Sequence, residues 1–421
     1  MMGKKKLFRG AAVVGGGLTK LGLFKDRNSK DFFVEAYLEM LGSVDKGVDP
    51  KDIEAIYVGN FTNDFFVNQA HWGPIIADLL GFVPRPVTRT EGACASSALS
   101  FREGVLAIAS GLYDIVLVGG FEQMSKRTTE EVAEGLGMAA SPYEVAAGFT
   151  FPGVFGTMAT AYFAKYGADR EALFNVTIKS HSNAPLNPKA QFPYTIRDLM
   201  NQRIERCRQK GEPIPQWKDE KDFLRDPRVN PPVAWPMHLF DCCPISDGAS
   251  CLLLVAEDLA KKFTDKPVYV VGTGQGSGYS LHAKKDLASY EATQAAAQQA
   301  YEMSGYGPKD VQFAEVHDCF SIAEIVHMED LGFYKPGEAY KAVAAGESRL
   351  DGPKPINTSG GLKTKGHPVG ATGVAQLYEV YTQLRGEAGK RQIPNPNLRI
   401  GGAHNLGGTG GTCTFTLLER R

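Results

Sequence analysis

VDPKDIEAIYVGN, residues 48–60, has a counterpart in YGPKDVQFAEVHD, residues 306–318, and this repetition decides the fold. Each copy follows a helical pattern and consists of a turn that leads into a short buried strand. A single Pro-Lys-Asp would indicate no more than a helix start or a turn. Two copies in matching context predict a chain built from two related halves.

Each half also contains a loop of small residues that leads into a helix. The first half has EGACASS (91–97) and the second has GHPVGATG (366–373). Both loops precede helical patterns, and short apolar strands follow, such as IVLVGG after the first helix. Helices that alternate with apolar strands in this way predict layered α/β halves.

The segment between the halves has a different pattern. Helical pieces there alternate with polar connections that contain proline, which predicts an inserted cap over one half. We therefore expect an N-terminal half made of residues 1–120 and 241–265, a cap (loop) domain at 121–240, and a C-terminal half at 266–421.

Composition limits the class of partner. Forty-six Lys and Arg balance forty-seven Asp and Glu, so no strong field recruits nucleic acid or a membrane surface. No apolar run is long or unbroken enough for a signal peptide or a membrane span. The seven cysteines show neither a disulfide framework nor zinc-ligand spacing. We expect a cytoplasmic protein that acts on a small molecule and holds no metal.

Cys94 is the first candidate catalytic residue. Free cysteines are usually small buried hydrophobes, whereas a nucleophilic cysteine needs a lowered pKa, an accessible sulfur and a nearby base. A helix that begins just after Cys94 favours the thiolate, and the neighbouring Gly92, Ala93 and Ala95 leave room for a substrate. The base has to come from another part of the chain.

Three further loops carry candidate partners. His367 lies between a glycine and a proline on backbone that can approach a ligand or cradle a phosphate. His317 and Cys319 in EVHDCFS lie on one side of an extended chain, although a core pair would have the same spacing. The glycines of GGAHNLGGTGG (401–411) either aim N–H groups at a ligand oxygen or form a mobile loop.

These motifs resemble the thiolase superfamily, and the resemblance covers essentially the whole chain. ACASS is similar to the nucleophile loop, GHPVGATG to the base loop, and SHSNAPLNPKAQF and CCPISDGAS to further landmarks. HDCF and HNLGG stand where many thiolases have Asn-Glu-Ala-Phe and a second cysteine. Both are similar to the sterol-carrier-protein-type branch, with a benzoylsuccinyl-CoA-type subunit as one specific candidate.

The resemblance implies the thiolase fold and Claisen chemistry on a 3-oxoacyl-CoA through an acyl-enzyme on Cys94. It implies that His367 deprotonates this cysteine and that His317 and His367 hold a thioester oxygen. Cys319 would move the proton at C2.

The resemblance also implies a second oxygen site, formed by the backbone N–H of Cys94 and that of Gly407 or Gly408. His404 stands where other thiolases carry their second cysteine, so its role is open.

Four residues are candidate substrate contacts. Cys243 stands where many thiolases have a serine near pantetheine, and Phe320 belongs to the HDCF motif. Arg203 and Arg206 in RIERCRQK could meet the 3′-phosphoadenosine of CoA, although a solvated helix face explains them equally well.

Aromatic residues within 149–166 fit a pocket for a branched or aromatic acyl group, although helical core packing also accounts for them.

The resemblance implies CoA as a co-substrate with no permanently bound cofactor, and a homodimer or tetramer. Some relatives add a small zinc-ribbon and OB-fold subunit. Three alternatives stay open: a ketosynthase-like condensing enzyme, an aldolase relative without a nucleophile, and a non-catalytic scaffold that binds acyl-CoA. The presence of Cys94 disfavours the aldolase, and HDCF with Cys319 disfavours the ketosynthase.

Overall fold

The computed structural model describes residues 6–421, and its strands form one large mixed sheet and one small hairpin. The strands are β1 (Ala11–Leu18), β2 (Ala55–Gly59), β3 (Val87–Thr90), β4 (Ile115–Gln123), β5 (Pro232–Ala234), β6 (Met237–His238), β7 (Asp247–Ala256), β8 (Val268–Ser277), β9 (Phe313–Glu315), β10 (Ile400–Gly407) and β11 (Thr412–Arg420).

Helices cover the sheet and fill the segment between β4 and β7. They are α1 (Ser29–Gly42), α2 (Asn63–Phe66), α3 (Trp72–Leu79), α4 (Ser96–Ala109), α5 (Thr129–Gly137), α6 (Pro142–Ala146), α7 (Phe151–Tyr166), α8 (Arg170–Asn183), α9 (Ile196–Lys210), α10 (Glu220–Arg225), α11 (Glu291–Ser304), α12 (Ser321–Asp330), α13 (Ala339–Ala344), α14 (Gly361–Lys365) and α15 (Thr372–Arg385). No helix among residues 6–421 combines the length and the apolar character needed to cross a bilayer.

The large sheet has nine strands in the order β3-β2-β4-β7-β1-β8-β11-β10-β9. The repeated stretch supplies β2 in the first half and β9 in the second. Each is parallel to a neighbour, β2 to β4 and β9 to β10. The predicted layered α/β class with two related halves is therefore confirmed.

Strands near the middle of the sheet are apolar on both faces because helices cover both sides. Along β1, Ala12 and Val14 pack in the core with α1 and α3. Ala11 and Val13 point to the other core, which contains α4 and α15. Burial on both faces explains why such strands have continuous apolar sequences.

The helices α4 and α15 join the two halves. Gly373 lies so close to α4 that an added Cβ would be 2.5 Å from the backbone nitrogen of Ala98. The Val374 N–H donates to Ser97 Oγ at 3.1 Å. These contacts bring together the starts of the helices that follow the Cys94 loop and the His367 loop.

The segment between β4 and β7 contains α5 to α10 and the β5–β6 hairpin. Within it, Phe155 and Tyr162 of α7 belong to the same core cluster as Ile322 of α12. The segment therefore packs directly on the element that follows the HDCF motif. The division at residues 120, 240 and 265 stays a prediction.

Candidate active site

Cys94 lies in a single 3-10 turn, Ala93–Ala95, that leads into α4. The preceding Ala93 has φ +51°, a left-handed conformation that costs free energy for a residue with a Cβ. Two hydrogen bonds hold this turn: the Ala93 N–H donates to Glu91 Oε1 at 2.6 Å, and Ser96 Oγ donates to the Ala93 carbonyl at 2.6 Å. The sharp turn fixes the position of the sulfur.

The thiol of Cys94 is uncharged in the free protein. Burial raises its pKa to about 12, while the backbone N–H groups of Gly408 and of Cys94 itself oppose that rise. The expectation that the helix start would favour a thiolate is therefore wrong for the free protein, because the loss of water outweighs the helix dipole. A nucleophilic role for Cys94 would therefore require a base that removes this proton.

His367 has the properties of such a base. Its backbone N–H donates to Ser246 Oγ at 2.8 Å, and its Nδ1 lies 2.7 Å from Thr372 Oγ1. The Thr372 hydroxyl donates its hydrogen to the Pro368 carbonyl at 2.9 Å, so it accepts from Nδ1–H. Burial, assisted by Lys365, lowers the His367 pKa to about 3. His367 is neutral, and its Nε2 lone pair is free to accept a proton.

His317 lies directly after β9 and is fully buried. Its Nδ1 is 3.0 Å from the side-chain nitrogen of Asn405, and its Nε2 has no hydrogen-bond partner among the described residues. Burial lowers its pKa well below the usual range, and the neighbouring His367 and His404 lower it further. The ring centroids of His317 and His367 are 5.1 Å apart.

The three residues converge on one cavity. One donor atom each from Cys94, His317 and His367 lies within 4.8 Å of the others. The cavity has a volume of about 200 Å³. Most of its wall is apolar, and it includes residues of α5, of α7 and of both halves: Thr129, Val132, Ala133, Leu136, Thr150, Phe151, Pro152, Ile245 and Val369.

Cys319 and Phe320 also line this cavity. Burial raises the pKa of the Cys319 thiol well above its usual value, and its carbonyl accepts from the Cys243 N–H at 2.9 Å. The Phe320 ring stacks on Phe155 of α7, with centroids 4.5 Å apart. A second thiol therefore lies in the same cavity as Cys94, on a loop that packs against α7.

The last glycine loop contributes differently from the sequence expectation. Gly408 lines the cavity, whereas an added Cβ on Gly407 would lie 2.0 Å from the Gly92 carbonyl, beneath the nucleophile loop. His404 does not line the cavity. Its Nε2 is 3.1 Å from Thr293 Oγ1 and 3.1 Å from Cys413 Sγ, on the far side of β10. His404 therefore makes no direct contact with this pocket, because side chains alternate along β10 and its ring points to the opposite face.

A second cavity, of about 330 Å³, shares Cys242 and Cys243 with the first. Leu199 of α9 lines it, together with aromatic residues of the 192–194 turn. Arg203 and Arg206 follow Leu199 by four and seven residues, so all three lie on one face of α9. Neither arginine lines the reaction cavity.

Several residues that fix the geometry of the site cannot be recognised from the motifs. Asn405 and Thr372 lie inside quoted motifs, but the motifs do not show which nitrogen each one faces. Glu122 on β4 accepts the backbone N–H groups of Phe61 and Gly370, at 2.8 and 3.1 Å. Burial raises the Glu122 pKa to about 8. Nothing in the local sequence around Glu122 signals that it ties the His367 loop to β4.

Cys94, His317 and His367 are also the described residues best placed to hold a metal ion, since sulfur and imidazole nitrogen are zinc ligands. The expectation of no metal stays a prediction.

Family models match both halves of the chain. The model described as "Thiolase, N-terminal domain" matches residues 11–258, and the model described as "Thiolase C-terminal domain-like" matches residues 274–420. Together they span both sets of loops that form the cavity.

Three relatives match this chain over nearly its whole length. The chain is 41% identical to an acetyl-CoA acetyltransferase of Methanothermobacter thermautotrophicus, over 98% of this chain and 100% of the relative. It is 30% identical to benzoylsuccinyl-CoA thiolase subunit BbsB of Thauera aromatica, over 96% of each chain. It is also 30% identical to sterol carrier protein 2 of Oryctolagus cuniculus, over 97% of this chain and 71% of that protein.

Among solved structures, the chain resembles the Ltp2-ChsH2(DUF35) aldolase with a TM-score of 0.78 and 24% identity, over 98% of each chain. This likeness establishes the fold. The relatives confirm the resemblance to the branch that includes sterol carrier protein 2. The chain thus belongs to the thiolase family and is an acyltransferase of that family.

Proposed function

We propose that the protein cleaves or forms 3-oxoacyl-CoA thioesters by Claisen chemistry through an acyl-enzyme on Cys94. The observation that carries this proposal is the convergence of Cys94, His317 and His367, with donor atoms within 4.8 Å of one another. A buried nucleophile needs a base and an oxygen-stabilising donor at one point, and these groups supply both.

In the cleavage direction, His367 Nε2 takes the proton of the Cys94 thiol as the sulfur attacks C3 of the substrate. The C2–C3 bond then breaks, and its electron pair moves to C2 of the departing acyl-CoA. Because both groups are neutral at rest, the proton transfer and the attack are coupled. CoA later gives its thiol proton to the Cys319 thiolate and attacks the Cys94 thioester, and the departing Cys94 sulfur takes back the proton held by His367.

Two oxygens gain charge during these steps. The backbone N–H groups of Cys94 and Gly408 both point toward the sulfur, so they are suited to the oxygen on C3. His317 is suited to the thioester oxygen of the departing acyl-CoA. We assign no contact with substrate to His404 or Gly407.

Cys319 is the proposed proton donor to C2 in cleavage and the acceptor in condensation. Cys319→Ala is expected to lower turnover yet still permit acylation of Cys94, because the proton at C2 is handled separately from the attack on C3. Intact-protein mass spectrometry after mixing with substrate measures the acylation. Loss of acylation would assign Cys319 to the first step instead.

The second cavity is the proposed route for CoA. Cys242 and Cys243 border both cavities, so a pantetheine chain can pass beside them toward Cys94. Arg203 and Arg206 lie beyond the cavity on the face of α9 that carries Leu199, where their charges can meet the phosphates. CoA is a co-substrate in this scheme, and no permanently bound cofactor is required.

Two substrate classes are candidates. The relative from Methanothermobacter is named for acetyl transfer, which favours acetoacetyl-CoA. The relative from Thauera is named for an aromatic substrate, benzoylsuccinyl-CoA. The apolar wall of Val132, Leu136 and Phe151 suits a branched or aromatic acyl group.

The deciding experiment mixes the purified protein with CoA and a panel of acetoacetyl-CoA and branched or aromatic 3-oxoacyl-CoAs. Acyl mass on the peptide that contains Cys94 is the expected result, and its size identifies the substrate class. Cys94→Ala is expected to abolish cleavage and keep CoA binding. Absence of acyl mass with every substrate would favour a non-catalytic acyl-CoA-binding scaffold, and acylation only from acyl-carrier protein would favour a ketosynthase.

We further propose that the protein is cytoplasmic and forms a homodimer or tetramer, with a small zinc-ribbon and OB-fold partner. A relative is named as a subunit, and the similar aldolase structure contains a DUF35 component. Exposed Met138 at the end of α5 and exposed Tyr143 in α6 provide apolar surface for such contacts. Light scattering of the protein alone measures the homo-oligomer, and co-expression with a DUF35-type protein tests the partner.

A further inference from the structure

His317 is held by two consecutive residues of β10. The His317 backbone N–H donates to His404 Nδ1 at 3.3 Å, while its side-chain Nδ1 lies 3.0 Å from Asn405 Nδ2. Because neighbouring residues of a strand point to opposite faces, one contact comes from each face of β10.

The His404 ring is itself fixed. Its Nδ1 accepts from His317, so the ring proton is on Nε2. That nitrogen lies 3.1 Å from Thr293 Oγ1 and 3.1 Å from Cys413 Sγ. His404 is fully buried, and burial lowers its pKa to about 3, which keeps it neutral. It therefore serves as a rigid acceptor for the His317 backbone.

Asn405 acts on the imidazole rather than on the backbone. An amide nitrogen only donates, so the His317 Nδ1 that faces it has to accept, and the ring proton lies on Nε2. Among residues 6–421, the opposite amide orientation would leave a buried NH₂ group without a partner, whereas the observed one leaves only the carbonyl oxygen Oδ1 unpaired. Buried N–H groups without partners are the rarer case, which favours the observed orientation.

The two cavity imidazoles thus carry opposite tautomers. Thr372 accepts from His367 Nδ1–H and leaves a lone pair on Nε2, whereas Asn405 donates to His317 Nδ1 and leaves a hydrogen on Nε2. One ring can accept a proton and the other can donate a hydrogen bond. The neighbours of the two rings therefore make His367 the proton acceptor and His317 the hydrogen-bond donor.

We propose that Asn405 is a positioning residue that sets the tautomer of His317 and so makes its Nε2 a hydrogen-bond donor to the substrate, with His404 holding the backbone of the same residue. The inference rests on the proposed function for the identity of the oxygen that receives this bond. Asn405 itself does not line the reaction cavity.

The test uses two variants of Asn405 in the full-length protein. In Asn405→Asp, the ionised carboxylate accepts a hydrogen bond from Nδ1–H of His317 and reverses the tautomer of that ring. The protonated acid instead donates to His317 Nδ1, as the amide does. Asn405→Leu removes the partner and leaves the tautomer unset. Asn397→Asp introduces the same charge at an exposed position and is the matched control.

For the free parent protein, selective ¹⁵N-histidine labelling is expected to show His317 protonated on Nε2, with His317→Asn used for assignment. We expect kcat of Asn405→Asp to fall with rising pH, by about 10²–10³-fold once the carboxyl ionises, as when one oxyanion donor is removed. The kcat of Asn405→Leu should be lowered at all pH values, and Asn397→Asp should follow the parent. Alkylation of Cys94 by iodoacetamide should not change in any variant, because neither Asn405 nor Asn397 lines the cavity that holds Cys94.

Protonation of parental His317 on Nδ1 would overturn the inference, and so would parental kcat in Asn405→Leu or a parental pH profile in Asn405→Asp. The nitrogen spectrum needs no turnover, so it separates this inference from the proposed function. Nε2 protonation in a protein that never acylates Cys94 would leave the tautomer assignment intact and contradict the proposed reaction.

Discussion

At the scale of single residues, Cys94 and His367 form an uncharged pair rather than a thiolate and an imidazolium. Burial raises the pKa of the thiol to about 12 and lowers that of the imidazole to about 3. Both shifts penalise the charged form, so charge separation in the empty cavity is unfavourable. In the proposed reaction, the thiolate therefore forms during the attack, when the oxygen-stabilising groups are engaged.

This neutrality predicts the pH dependence of Cys94 alkylation. Because the thiolate is the reactive form and the thiol pKa is about 12, the rate with iodoacetamide should rise about tenfold per pH unit from pH 7 to 10 without a plateau. The initial rate of modification at Cys94, followed by peptide mass spectrometry, measures this. A plateau near neutral pH would indicate a stabilised thiolate and contradict the neutral pair.

Four residues of this cavity can be predicted from sequence motifs, because all of them lie in recognisable loops: Cys94, His317, Cys319 and His367. The same motifs include Asn405 and Thr372 without revealing their partners. Hydrogen-bond direction depends on which ring nitrogen a side chain faces, and that is set by the approach of separate strands and helices. The role of His404 does not follow from its motif for the same reason, because its contacts come from α11 and β11.

At the scale of elements, α15 packs between the two halves and orients His367, the proposed base. Its first residue, Thr372, receives the hydrogen bond of His367, and the helix start packs on α4. The repeated stretch predicted β2 and β9 correctly. The hairpin of β5 and β6 lies in a segment for which the sequence predicts only helical pieces and polar connections, because such short strands are stabilised by tertiary contacts rather than by their own pattern.

Thr372→Val tests the link between α15 and the base. It leaves Nδ1–H of His367 without its acceptor, so kcat should fall by about tenfold, part of the 10²–10⁴-fold that a general base contributes. Thr382→Val on the same helix is the control, because Thr382 Oγ1 donates only to helix carbonyls. Equal effects of the two substitutions would mean that the loss comes from helix stability.

Arg203→Gln with Arg206→Gln tests α9 as the site of the CoA phosphates. The double variant should raise KM for CoA about tenfold with little change in kcat, since a charge-assisted hydrogen bond contributes about 1.5 kcal/mol or more. Arg208→Gln is the control on the same helix, where Arg208 pairs with Glu205 at 3.3 Å. An unchanged KM in the double variant would move the phosphate site elsewhere.

At the scale of the whole molecule, the two halves share one sheet. Strands β1 and β8 pair antiparallel, with Ala11 opposite Val270, and join what the sequence predicted as separate units. The repeat predicts that the halves are alike but not how they meet, because that contact involves strands outside the repeat. The helical contact at Gly373 depends on the same unpredicted arrangement.

Gly373→Ala tests the contact between the halves. A Cβ there would lie 2.5 Å from the Ala98 backbone nitrogen, so the free energy of unfolding should fall by about 1–3 kcal/mol, as for other overpacked sites. Gly42→Ala is the control. It ends α1 with open space around it, so it should be neutral or stabilising by up to about 1 kcal/mol. Denaturant titrations compare the two, and equal midpoints would show that the contact tolerates expansion.

The stack of Phe155 on Phe320 joins α7 to the loop that carries Cys319. Phe155 belongs to α7, whose Phe151 and Pro152 line the cavity, whereas Phe320 directly follows Cys319. A substitution of Phe155 that moves Phe320 is therefore expected to move Cys319 as well. Under the proposed function, remodelling of this wall for a bulkier acyl group would also shift the proton donor to C2, so both changes would have to be made together.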